Sequence, residues 1–177
     1  FEHIIRMITH WRMAMKELQT KSSELLNAAR GRLIAEMGPH GHWDGRLSSS
    51  ALSTAIAVFA LAEVNREANR ALIARGLDWI SANINGDGGW GDTPASISNT
   101  STTLLCWAAL TVSDGTNESH RNAISRAEAW LGARIGSLDP ANVANSILSH
   151  YGTDHTFAVP ILTMCALSGR LGAALAA

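Results

Sequence analysis

Few side chains in this sequence are of types that do chemistry, and they are scattered. Cys106, Asp154, His155 and Cys165 are the residue types that ligate zinc, but a zinc site needs its ligands tightly grouped and these spacings do not group them. Both cysteines stand in apolar runs, which marks them as core thiols rather than as a disulfide pair. Asp154-His155 precedes an apolar helix, so the pair reads first as a helix start and second as a polar contact to a substrate. Asp87 and Asp92 flank Trp90 in a glycine-rich loop, Gly86 to Gly91. That loop follows a helix and lacks the Lys-Ser/Thr of a phosphate cradle. Asp44 and Asp92 each follow a tryptophan and are expected to cap the next helix, and His40 and His42 read as loop histidines. No residue is assigned a catalytic role, and no metal or cofactor is expected.

These groups must be positioned by a folded core. With 177 residues, 46% of them hydrophobic and only 16% charged, the chain suits one domain with a sizeable interior, and its composition argues against disorder. A net charge of −1 supplies no basic surface for nucleic acid. No polybasic segment flags a membrane anchor. The longest apolar stretch, Ala51 to Val64, is interrupted by Ser53 and Thr54 and falls short of the ~18 residues of a membrane span. Unpaired cysteines fit a reducing compartment, so a cytoplasmic location is expected. The start at Phe1 and the helix-favouring end at Leu175-Ala176-Ala177 suggest a piece cut at both ends.

The periodicity is helical throughout. Ile4, Ile8, Trp11, Met15 and Leu18 share one helix face, and a second helix is expected over Ser23–Met37, stopped by Gly38-Pro39. Further helices are expected over Ser50–Val64, Asn69–Ile84, Asn99–Val112, Asn117–Ile135, Pro140–Ser149 and Thr156–Ser168, about eight in all. Asp139-Pro140 and Ser98-Asn99-Thr100 are good start signals. The segments also repeat. Arg70 to Arg75 with Trp79-Ile80 returns as Arg121 to Arg126 with Trp130-Leu131, and Gly41-His42-Trp43 returns as Gly88-Gly89-Trp90, each leading to an apolar helix. The period is roughly 45–55 residues. A single unit cannot bury its own apolar faces, so copies must stack. Ser50–Val64, Asn99–Val112 and Thr156–Ser168 are apolar nearly all round and are expected to be buried. Their partners are amphipathic. The expected fold class is all-α, a partial α/α toroid with inner apolar and outer amphipathic helices. Residues 1–22 would form an N-terminal helix packing outside the repeats, and 23–177 the incomplete repeat domain.

Arg75-Gly76, Trp79-Ile80 and Gly88-Gly89-Trp90 resemble the Q-W motif of squalene-hopene and oxidosqualene cyclases. Trp43 and Trp130 stand at looser copies of it. The resemblance spans roughly residues 25–170. The motif's glutamine is missing: Ile84 holds its place, flanked by Asn83 and Asn85, either of which is able to replace it. Glycine permits the tight inter-helix loop, and the indole covers it while donating one N–H.

The resemblance implies the N-terminal part of a class II terpene cyclase of squalene-hopene type. Such an enzyme protonates a polyprenyl substrate with the aspartic acid of an Asp-x-Asp-Asp motif and steers the carbocation through an aromatic-lined cavity. This sequence contains no Asp-x-Asp-Asp, so the chain alone is expected to be silent. Asp154, His155, Trp107 and Phe157 are the candidates to face the cavity. Arg75, Gly76, Trp79, Ile80, Gly88, Trp90, Trp43 and Trp130 are expected to be structural. The implied partner of the parent protein is a polyprenyl or triterpenoid-type lipid, with peripheral contact to the cytoplasmic side of a membrane through parts outside this sequence. Incomplete stacking implies self-association. A non-catalytic lipid- or protein-binding repeat module is the first alternative, and a zinc prenyltransferase β-like subunit the second.

Overall fold

The computed structural model describes residues 2–45 and 47–172, apart from the side chains of residues 2–5, 8 and 9. Ile4 and Ile8 therefore lie outside the described side chains, and Leu175-Ala176-Ala177 outside the described residues. Seven α-helices and one 3-10 turn are present among the described residues, with no strand. The chain is all-α, in the manner of an α/α helical repeat, and forms two compact units, Phe1–Leu47 and Ser48–Ala177.

The first unit is one helix and a turn. Helix α1 (Glu2–Ala35) runs unbroken through the position where two helices were expected. The link at Lys21-Ser22-Ser23 holds neither glycine nor proline, and an i,i+4 pair between Glu17 and Lys21 (2.8 Å) spans its start, so nothing ends the helix there.

The second unit is built from six helices whose boundaries fall close to those read from the sequence: α2 (Ala51–Asn65), α3 (Arg70–Ala82), α4 (Thr100–Ala109, extended by a 3-10 turn over Leu110–Val112), α5 (Glu118–Ile135), α6 (Pro140–Tyr151) and α7 (His155–Leu167). The caps explain the agreement. Ser50, Asn99, Asn117, Asp139 and Asp154 each accept a hydrogen bond from a backbone N–H of the first turn behind them. Asp92 is not the cap that was expected. It supports one, because its Oδ1 accepts from the Asn99 amide (2.9 Å) and the Thr102 hydroxyl while its carbonyl accepts from the Ala51 N–H (3.1 Å). Asp44 caps nothing and faces His42 at 3.4 Å.

The helices lie in two layers. Contacts run α2 to α4 to α7 in one layer and α3 to α5 to α6 in the other, with α2 on α3, α4 on α5 and α6 on α7 across them. Gly76 allows the tightest crossing: a Cβ there would stand 2.3 Å from Val58 Cγ2. Burial divides the first layer in a way that composition did not reveal. Every residue of α4 from Thr102 to Ala109 is buried, as expected. In α2 and α7 only one face is covered, and Ile56, Val64, Val159 and Leu167 are exposed. An apolar sequence states what a helix can bury. Neighbours on both sides decide what it does bury, and only α4 has them in its layer.

Candidate functional site

Two regions answer to the sequence motifs: the Gly-x-Trp turns and an open groove beside the second of them. The turns at 38–43 and 85–90 share one backbone scheme. The N–H of Gly38 donates to the His42 carbonyl (2.8 Å) and that of Asn85 to the Gly89 carbonyl (2.9 Å). The N–H of Gly41 donates to Gly38 (3.1 Å) and that of Gly88 to Asn85 (3.0 Å). Gly41 and Gly88 take φ values of 78° and 95°, which only glycine adopts cheaply. Each indole then reaches back to the preceding helix, Trp43 Nε1 to the Leu33 carbonyl (2.5 Å) and Trp90 Nε1 to the Ile80 carbonyl (2.9 Å). The tryptophan thus adds a donor to a carbonyl in the last turn of a helix; at Ile80 that carbonyl also accepts from the Asn83 N–H (3.2 Å).

Side chains lock the second turn further. Asn85 donates to the Ser96 carbonyl (3.1 Å) and to Ser98 Oγ (2.9 Å), so of the two asparagines it is the one that ties the loop. Asn83 turns back on the Trp79 carbonyl of its own helix. Asp87 accepts from the Gly89 N–H (3.1 Å), the Ser98 hydroxyl (2.7 Å) and Trp130 Nε1 of α5 (3.0 Å). Partial burial raises the Asp87 pKa, but the hydrogen bonds from Ser98, Gly89 and Trp130 outweigh it and hold the carboxyl below the usual range. Arg126, also on α5, donates to the Asn85 carbonyl (2.6 Å). The glycines make room for this: a Cβ on Gly89 would meet Trp130 at 2.9 Å, and one on Gly91 would meet two carbonyl oxygens at 2.5 Å. Arg75 is exposed and Trp79 half-buried on α3.

The groove, of about 800 Å³, is lined by residues that include Leu52, Ser101, Arg134, His150, Tyr151 and Phe157. Phe157 stacks on Tyr151 (centroids 6.0 Å apart), His150 meets Tyr151 edge-on (4.8 Å), and the Tyr151 hydroxyl bonds to Ser101 Oγ (2.9 Å). Arg134 lies over the Trp130 ring at 4.8 Å. The groove offers an aromatic face with hydroxyls around it. Its carboxylate, Asp92, is committed to Asn99 and Thr102.

The four cavity candidates are not brought together. Phe157 lines the groove. Asp154 is an exposed helix cap whose carboxyl hydrogen bonding by Thr156 holds below the usual range, and His155 is exposed beside it. Trp107 is buried: its Nε1 donates to Glu128 (3.0 Å) and the Arg170 guanidinium covers its face at 4.1 Å. Burial pushes the thiol pKa of Cys106 up, and carries that of Cys165 to about 12 against the opposing charge of Arg170, so neither is a ready thiolate. Among the described residues no group of three or more His, Cys, Asp or Glu is placed to hold a metal. Tyr151 and Ser101 were missed by sequence reasoning. Tyr151 is the one tyrosine in the chain and stands at a helix end beside His150, which was the signal available.

A family model described as the squalene-hopene cyclase N-terminal domain matches residues 26–164. No curated protein and no solved structure matches the chain.

Proposed function

The chain belongs to the squalene-hopene cyclase N-terminal domain family, and from that premise we propose that it is part of the helical wall of a class II terpene cyclase. The parent enzyme would protonate a polyprenyl substrate and steer the carbocation within an α/α toroid. Its acid would come from other sequence, because Asp-x-Asp-Asp does not occur here. Such chemistry calls for no metal or organic cofactor. The location would be the cytoplasm or the cytoplasmic surface of a membrane. Among the described residues no helix is long and apolar enough to cross one.

One observation carries this reading: the flanking helices α2 and α7 of the apolar layer leave Ile56, Val64, Val159 and Leu167 exposed. Hydrocarbon is the chemistry that covers such a surface, whether substrate or apolar protein. The same faces favour the second reading, a non-catalytic module that binds lipid or protein, and they would draw copies of the chain together. Incubation with squalene, followed by gas chromatography and mass spectrometry of the extract, is expected to return the substrate unchanged, with light scattering of the same sample above monomer mass. A cyclised product from this chain alone would overturn the placing of the acid elsewhere.

A further inference from the structure

A second cleft, of about 370 Å³, lies away from the groove, between α3 and the start of α5, and its lining includes Ile73, Leu77, Asp78, Val112, Ser113 and His120. Within it the His120 imidazole bridges a hydroxyl and a carboxylate: Nδ1 stands 2.9 Å from Ser113 Oγ and Nε2 stands 2.9 Å from Asp78 Oδ1. The imidazole is nearly out of solvent, with 7% of the side chain exposed, while Asp78 stays 63% exposed. Asn117 also donates to Asp78 Oδ1, at 3.4 Å.

We propose that Ser113 is a nucleophilic hydroxyl that takes an acyl group from small esters, with His120 as its general base. A carboxylate at Asp78 accepts, so in the neutral imidazole it is Nε2 that carries the proton. That leaves the Nδ1 lone pair facing Ser113, whose hydroxyl must then donate to it. This is the arrangement that activates a serine: the base accepts the hydroxyl proton, and the carboxylate fixes its tautomer and steadies the imidazolium. In the step, a bond forms between Ser113 Oγ and the ester carbonyl carbon. The serine proton moves to His120 Nδ1 and from there to the departing alkoxide as the C–O bond breaks. Water then attacks the acyl-serine, gives one proton to His120 and releases the acid, and the proton returns to Ser113. The size of the cleft, whose lining joins Arg66, Glu67 and Asp114 to Ile73, Leu77 and Val112, admits only short acyl groups. The Gly115 N–H donates to Ser113 Oγ itself, at 3.4 Å, and so is engaged with the nucleophile rather than aimed at an oxyanion. Each oxyanion donor that is lacking costs on the order of 10²–10³ in rate, so acylation is slow and turnover slower.

The test is labelling of the full chain with a fluorophosphonate probe at neutral pH, mapped by peptide mass spectrometry, alongside p-nitrophenyl acetate hydrolysis. The label is expected on Ser113 and nowhere on heat-unfolded protein. Ser113→Ala removes it, and His120→Asn slows it about 100-fold or more. Asp78→Asn, a change at an exposed position that leaves the helices intact by circular dichroism, slows it about tenfold, less than for a buried triad carboxylate. No label on Ser113 of the folded chain, or a rate that His120→Asn and Asp78→Asn both leave unchanged, overturns the proposal.

Discussion

The turns at 38–43 and 85–90 have the same backbone hydrogen bonds and differ in what surrounds them. Trp43 is 50% exposed and Trp90 is 1% exposed, although both indoles donate to a carbonyl ten residues back. The side chains account for the contrast. In matched register, Gly38 stands where the second turn has Asn85, and His40 where it has Asp87. Asn85 and Asp87 reach Ser96, Ser98 and Trp130, and Arg126 closes over the loop carbonyls. Glycine and tryptophan are therefore enough to shape the turn. The asparagine, the aspartate and the following helix turn that shape into a buried joint.

The largest effect expected from this contrast is at the tryptophans. Trp90→Ala removes a fully buried indole and should cost about 3–5 kcal/mol of stability, against less than about 1 kcal/mol for Trp43→Ala, by urea denaturation. Equal costs would mean that the two turns are equivalent joints after all. Next come the glycines. Gly91→Ala drives a methyl to 2.5 Å from two backbone oxygens and should cost about 2–3 kcal/mol, whereas at Gly41 there is open space and only the positive φ resists, at about 1–2 kcal/mol. The comparison would be sharpened if a D-alanine at 41 were neutral while one at 91 were not. The smallest effect belongs to Asp87. Its folded pKa lies below 3.8, so its contribution is fully present above that pH and fades as pH falls through the folded value. Asp87→Asn should lower stability by about 1 kcal/mol near neutrality, where the exposed carboxylate is screened, and should flatten the acid limb of melting temperature against pH. An unchanged acid limb would remove Asp87 from the joint.

Much of this fold could be read in advance because its start signals are local. Asn99, Asn117, Asp139-Pro140 and Asp154 sit next to the amides they cap, so α4 to α7 were placed within a few residues. The long α1 was misread because a polar stretch without glycine or proline looks like a link and is still good helix. Asp92 was misread because its partners lie seven and ten residues onward. The groove and the cleft were harder still. Ser101 meets Tyr151 across 50 residues and His120 meets Asp78 across 42, distances at which spacing carries no signal. Exposure of α2 and α7 depends on neighbours rather than on their own composition.

The two backbone bonds within the second turn and the bond from its indole each join residues no more than ten apart, whereas Asp87 must wait 43 residues for Trp130. Loops of about ten residues close within roughly 10–100 ns, far faster than a ribosome adds the residues that follow. Each bend can therefore be set on the nascent chain before the helix that seals it exists. The molecule would then be assembled in order, one hairpin at a time.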